Sequence, residues 1–289
     1  MRISNAMMAS NIKGYLLQHT RQLLDAQEKI ASGKRINRPS DDPVGMGQVL
    51  GYRKAINSLE QYNRNIENGK VHIDNVENIL GAVTDFLMQA KDIAGDPDPN
   101  MRNMLADQVV NIRDQVVQLA NSKHNGNHLF SGHSVHTAPF EDPGTGYTYQ
   151  GDNGTKEYMI GDGLQLGIIS DGLAIFQGAE DVFGVLQDLE THLRSGDAAQ
   201  ISDQLPLLTS VIENLNTVRA VNAGQHKRME ATQSHNKHFL VNAQDLLSRT
   251  EDTDMAAAIV DWQLHQTAYE TTLATSAKMI QPSLIDFLK

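Results

Sequence analysis

The chain has 289 residues, with 5% aromatic side chains, a formal net charge of −11 and no cysteine. The acidic balance argues against nucleic acid as a partner, since phosphate recognition needs a clustered basic surface, and the missing cysteine excludes disulfides and thiolate metal sites. That length allows about one to three domains, and so few aromatics suit long, narrow helix packing better than one large globular core.

The chain opens with apolar steps of four and three: Met8, Ile12, Tyr15, His19, Leu23, Ala26 and Ile30. This is a heptad signature, which places one apolar seam along a helix and demands a partner. Met1-Arg2-Ile3-Ser4-Asn5 leads straight into that pattern, so no cleavable leader is expected. The helix is expected to stop at Ser32-Gly33-Lys34, where glycine supplies a left-handed C-cap. Ser40, Asp41 or Asp42 can then cap a second helix with Pro43 in its first turn. Lys34, Arg35 and Arg38 read as a solvated face, too few for a polybasic tail.

From Val44 nothing breaks the pattern until Gly95-Asp96-Pro97-Asp98-Pro99. Tyr52, Leu59, Ile66, Ile73, Leu80, Leu87 and Ala94 form an unbroken apolar column. Its companion column starts at Val49 and Ile56, turns polar at Asn63, and is replaced by Val76, Val83 and Ala90. A straight helix drifts in this way against a strict seven-residue repeat. A helix along Met101, Leu105, Val109, Ile112, Val116 and Leu119 follows, ending near Lys123–Asn127.

Residues 128–178 change character, with Gly, Asp, Thr and Tyr around short β-type runs at Tyr147–Tyr149, Glu157–Ile160 and Leu164–Ile169. Asn153-Gly154 and Asp162-Gly163 separate them as hairpin turns. Helical periodicity returns near Ala179 and resumes from Asp197 through Ile201, Leu208, Ile212, Leu215 and Val218 to Leu247. Glu251-Asp252-Thr253-Asp254 reads as an acidic cap cluster before a last helix. That helix carries the second heptad seam: Met255, Ile259, Trp262, Gln266, Tyr269, Leu273, Ser276 and Ile280.

The two ends are matched in charge. Residues 1–38 carry seven Lys/Arg against two Asp/Glu, and residues 251–289 carry two against six. The expected fold is mainly α with a small β insert: nested long antiparallel helices forming a terminal coiled coil and a helical bundle, plus a central antiparallel β domain. Residues 1–42 and 251–289 are the expected terminal coiled coil, residues 43–130 and 179–250 the long-helix bundle, and residues 131–178 the β domain.

No constellation for catalysis emerges. His128, His133 and His136 share a loop and His235 and His238 lie three apart, but neither group has a zinc-ligand spacing. No nucleophile elbow, Walker loop or dinucleotide fingerprint occurs, and Gly161-Asp162-Gly163 reads as a turn. No enzyme, cofactor or metal is expected. Apolar runs such as Met255 to Val260 are too short to cross a bilayer, so no membrane partner is expected either.

Specific residues do point to a family. Ser32-Gly33-Lys34-Arg35-Ile36-Asn37 followed by Ser40-Asp41-Asp42 resembles the N-terminal signature of bacterial flagellins and their relatives. Met1-Arg2-Ile3-Ser4 with Met7-Met8 is similar to the flagellar hook-associated protein 3 branch (FlgL). So is Arg38-Pro39-Ser40-Asp41-Asp42-Pro43-Val44-Gly45, where flagellins typically carry alanine for proline. His128-Leu129-Phe130-Ser131-Gly132 with Pro139-Phe140, and the ending Ser283-Leu284-Ile285-Asp286-Phe287-Leu288, resemble the same branch.

The resemblance implies a structural protein exported unfolded by the flagellar type III apparatus and placed at the hook–filament junction, outside the cell. Its implied partners are further copies of itself in a ring or helical assembly, an adjacent hook-associated protein, flagellin and a cytoplasmic export chaperone. The terminal helices would form an inner tube and the β domain the outer surface. From the residues alone, two isolated terminal helices bury too little to hold firmly, so the ends should be disordered in the monomer and order on assembly. The assembly seam is then Met8, Ile12, Tyr15, Leu23, Ile30, Met255, Ile259, Trp262, Tyr269, Leu273 and Ile280. The bundle seam is Tyr52, Leu59, Ile66, Ile73, Leu80 and Leu87. The competing readings are a flagellin-type filament subunit and, from another class, a secreted enzyme or adhesin working through the insert.

Overall fold

The computed structural model describes residues 5–144, 146–178 and 180–280, the side chains of residues 5, 6, 8, 9 and 278–280 excepted. The expected end motifs at residues 1–4 and 283–288 lie outside the described residues.

Long helices dominate. The first, α1 (Asn5–Ser32), stops where Gly33 takes a φ of +70°, the left-handed C-cap that the sequence offered. The second, α2 (Pro43–Gly95), begins on the expected proline. Asp42 is its cap: the carboxylate accepts the Gly45 N–H at 2.8 Å. At about 1.5 Å per residue α2 is roughly 80 Å long. It is followed by α3 (Arg102–Ala120).

Among the described residues the β region forms three separate two-stranded antiparallel ladders rather than one sheet. They are β1 (Lys123–His124) with β2 (Asn127–His128), β3 (Phe140–Glu141) with β4 (Thr148–Tyr149), and β5 (Lys156–Gly161) with β6 (Leu164–Ile168). Asp162-Gly163 makes the expected hairpin turn, with Gly163 at φ +65°. Asn153-Gly154 does not: β4 pairs back onto β3 instead of running into β5. The reason is Asp152, whose carboxylate accepts the N–H groups of His133 and Gly154 at 2.7 and 2.8 Å and the Ser134 hydroxyl at 3.0 Å. Those bonds hold the carboxyl below its ordinary range, the His133 N–H being the largest influence. The Tyr149 hydroxyl donates to the carbonyls of Asp152 and Phe130, which closes the loop.

Helicity resumes earlier than the sequence suggested, in the short α4 (Gly172–Phe176). Then come α5 (Val182–Ser195), capped by Asp181 and closed by Gly196 at φ +76°, and α6 (Ala198–Glu251), which keeps Pro206 within its first turns. The chain's last described helix is α7 (Met255–Ile280). Of the acidic cluster before it, Asp254 is the cap, accepting the Ala256 and Ala257 N–H groups at 2.9 and 3.2 Å.

Two compact units result: residues 1–58 with 238–289, and residues 59–237. In the second, α2, α3, α5 and α6 share one core that includes Leu80, Leu87, Val109, Val116, Leu186, Leu189, Leu208 and Leu215. The β pieces join this core through Phe130, Phe140, Phe176 and Phe183, whose ring centroids lie 4.9–6.0 Å apart in the recorded pairs. The β5–β6 hairpin packs separately on Ile66, Ile73 and Met229 through Ile160, Leu166 and Ile168. Asn222, 1% exposed, pins its exit by donating to the Ile169 carbonyl at 3.0 Å and accepting the Ile169 N–H at 3.2 Å.

Candidate assembly interface

The first unit holds the two chain ends. In it α1 and α7 lie side by side, and the side chains they seal completely are small: Ala26, Ala258 and Ser276 are 3%, 8% and 7% exposed. This follows from geometry, because two helices share a single line of contact and large side chains beside that line keep one flank in water. Ile12, Leu23, Ile30, Trp262 and Tyr269 are half-buried, whereas Tyr15, Met255, Ile259 and Leu273 are exposed. The side chains of Met8 and Ile280 lie outside the described residues. Leu17, Leu24, Val260 and Leu264, which no heptad count singled out, are more than half exposed.

A groove runs between the pair, lined by Ile12, Tyr15, Leu264 and Ala268 together with Thr267, Thr271, Thr272, Thr275 and Ser276. Each of those five hydroxyls donates to the carbonyl four residues earlier, at 2.6–2.9 Å. Their hydrogen bonds are therefore met inside α7, and the methyl groups and apolar neighbours define the groove. Such a surface can be covered without leaving unsatisfied polar groups.

Below the pair, the α1–α2 connector and the α6–α7 connector are bound together. The Arg35 N–H donates to the Glu251 carbonyl at 2.6 Å, the Thr253 N–H to the Gly33 carbonyl at 3.0 Å, and the Arg35 guanidinium to the Thr250 carbonyl at 2.9 Å. Ile36, 1% exposed, plugs the junction. Asp41 accepts the N–H groups of Asn37 and Arg38, and Arg38 pairs with Glu28 at 2.6 Å. These bonds hold the carboxyls of Asp41 and Asp42 below their ordinary range, the N–H of Arg38 acting most on the first and that of Gly45 on the second. Lys34, Arg35 and Arg38 keep 39–62% of their side chains in water, as the sequence suggested, and are in addition paired in a clasp. The residue that sequence reading missed is Glu251, 3% exposed, which takes ion pairs from Lys34 and Arg53. Arg53 is 198 positions away, so no local signal could have joined them.

The description "bacterial flagellin N-terminal helical region" fits residues 3–135 of this chain. Flagellar hook-associated protein 3 of Salmonella typhimurium is 26% identical over 98% of both chains, and that of Escherichia coli K12 is 26% identical over the whole of both. The likeness to these flagellar proteins thus runs along essentially the whole chain. A flagellin of Bacillus subtilis also matches, at 23% identity over 97% of both chains. Among solved structures, a flagellar hook-associated protein of Vibrio parahaemolyticus superposes with a TM-score of 0.68 at 18% identity, over 73% of this chain and all of that one. The flagellar junction protein FlgL of Legionella pneumophila gives 0.61 at 15%, over 71% and all. The fold of this chain is therefore that of these solved structures, mainly α with small β elements.

In this chain the predicted bundle column is buried from Ile66 through Ile73, Leu80 and Leu87, at 0–3% exposure, while Tyr52 and Leu59 are half-buried. Among the described residues no group of three or more His, Asp or Glu side chains is placed to hold a metal ion. None of the described helices is long and apolar enough to cross a membrane.

Proposed function

We propose that this protein is a structural subunit of the bacterial flagellum, the hook–filament junction adaptor on which the flagellin filament assembles. The observation that carries the reading is the apolar surface left on the α1–α7 pair. Tyr15, Leu17, Leu24, Val260, Leu264 and Leu273 remain 42–65% exposed on helices that pair with each other. Of these, Tyr15 and Leu264 line one groove with Ile12 and Ala268, and an apolar groove of that kind offers a seat for another chain. Full-length likeness to hook-associated protein 3 supplies the context.

In this reading residues 1–42 and 251–289 work as the terminal coiled coil, with the assembly seam from Met8 to Ile30 and from Met255 to Ile280. Residues 43–130 and 179–250 form the bundle around the Tyr52–Leu87 column, and residues 131–178 face outward. The partners are further copies of this chain, an adjacent hook-associated protein, flagellin and, before export, a cytoplasmic chaperone. The protein acts outside the cell, at the flagellum, and performs no catalysis. Head-to-tail contact between copies gives a ring or a helical tube.

The likeness to Bacillus subtilis flagellin keeps the filament subunit as the second reading. Deleting the gene separates the two. Bare hooks in electron micrographs, with flagellin abundant in the medium, are the outcome expected for the adaptor. Bare hooks with no flagellin in cells or medium would make this chain the filament subunit.

A further inference from the structure

The seam of the helix pair, sealed by Ala26, Ala258 and Ser276, has little within itself to fix the register, because heptad seams of small residues match again after a slip of one repeat, so alignment falls to the connectors. Glu251 supplies what the seam lacks. Its carboxylate is buried at the end of α6, and two cations from different segments converge on the same oxygen, Oε1: Lys34, just past α1, at 2.6 Å, and Arg53 of α2. The Glu251 carbonyl receives the Arg35 N–H, so backbone and side chain of this one residue both hold the N-terminal connector. Any slip of α1 against α7 withdraws Lys34 and leaves a buried carboxylate short of its counter-charge, a state far costlier than a shifted apolar seam. Buried charged groups that set register at the expense of stability are known from coiled coils.

We propose that Glu251 is the positioning residue that locks the register of the terminal helix pair, with Lys34 and Arg53 as its counter-ions. It presents α1 and α7 in the one alignment in which their apolar flanks and the threonine-lined groove are jointly available to a neighbouring copy. The inference rests on the assembly reading only for its cellular consequence.

The test is hydrogen–deuterium exchange on the full chain, read by peptide. Glu251→Gln keeps the shape and removes the charge. Amide exchange in residues 5–32 and 255–280 should then rise at least about tenfold, while residues 59–237 stay as protected as in the wild type. Glu251→Lys should behave likewise, and adding Lys34→Glu and Arg53→Glu to it should restore protection, which a purely steric role would not allow. Three results overturn the proposal: wild-type protection in Glu251→Gln, failure of the triple reversal to recover, or exchange that rises equally throughout residues 59–237. The assembly reading is judged apart. If Glu251→Gln opened the pair yet supported normal filaments, assembly through these helices would fall and the lock would stand.

Discussion

Replacing Leu273 by Asp separates a role in folding from a role in assembly. Leu273 is 42% exposed on α7, so a little more than half of its side chain is removed from water within the first unit. Full burial of a leucine is worth about 2 kcal/mol, so its loss here costs the isolated chain about 1 kcal/mol. That loss falls on the unit holding the chain ends, and the unit of residues 59–237 does not contain the residue. In an assembly where a neighbour covers this flank, the same substitution buries an unpaired carboxylate, a penalty of about 3–5 kcal/mol. Since about 1.4 kcal/mol is a factor of ten, subunit affinity should fall roughly 10²- to 10⁴-fold. Calorimetry of the purified chain should show the main transition moved by no more than about 3 °C. In a deletion strain the variant should be exported yet restore no filaments, read by electron microscopy and a motility assay. Normal filaments would refute the idea that this flank is an interface. A main transition lowered by 8 °C or more, on the order expected for a true core residue, would show that the terminal pair is an integral part of the folded monomer.

Leu80→Ala is the complementary perturbation: Leu80 is fully buried in the shared core of α2, α3, α5 and α6, and its truncation should cost about 2–5 kcal/mol in chemical denaturation. Gly45→Ala should destabilise although alanine is the better helix former by about 1 kcal/mol. A Cβ there would lie 2.4 Å from the Asp42 carboxylate and 2.6 Å from Ile36, so the cap of α2 or the plug must give way; proteolysis near residues 33–45 should accelerate. His72, 6% exposed, has its pKa lowered to about 4, mainly by burial, with Lys156 and His124 adding to the effect. Neutral in both states above pH 6.5, it binds its proton first in the unfolded chain as pH falls, so stability drains between about pH 6.5 and 4, by about 3 kcal/mol in all. His72→Phe should flatten that limb of a pH series of urea melts, and an unchanged slope would remove His72 as its cause.

Much of this molecule could be read without coordinates because its helices follow long, uninterrupted repeats. The Tyr52–Leu87 column needed only counting, and its buried part coincides with the core. Stops and starts were local as well: Gly33, Asp42 with Pro43, and Asp254 act within a few residues of themselves. The β region was less legible, since Asn153-Gly154 has the composition of a hairpin turn. What decides its conformation is Asp152, whose bonds reach back to His133 and Ser134 and are invisible to a window of neighbours.

The site itself divides along the same line between local and distant information. Heptad counting assigned Tyr15, Met255, Ile259 and Leu273 to a seam, and in the chain as it stands they flank the α1–α7 contact instead of filling it. A repeat records which face of a helix is apolar, not how many partners share that face, and two helices can cover only its centre line. The uncovered flanks are thus a statement about the number of chains required, which no single-chain pattern contains. Glu251 is the opposite case. A buried carboxylate at the end of a polar helix has no periodic mark, and its meaning comes from Lys34 and Arg53 arriving from the other end of the chain. The apolar repeat gives these ends their appetite for neighbours, and the ion pairs fix the alignment in which they are offered.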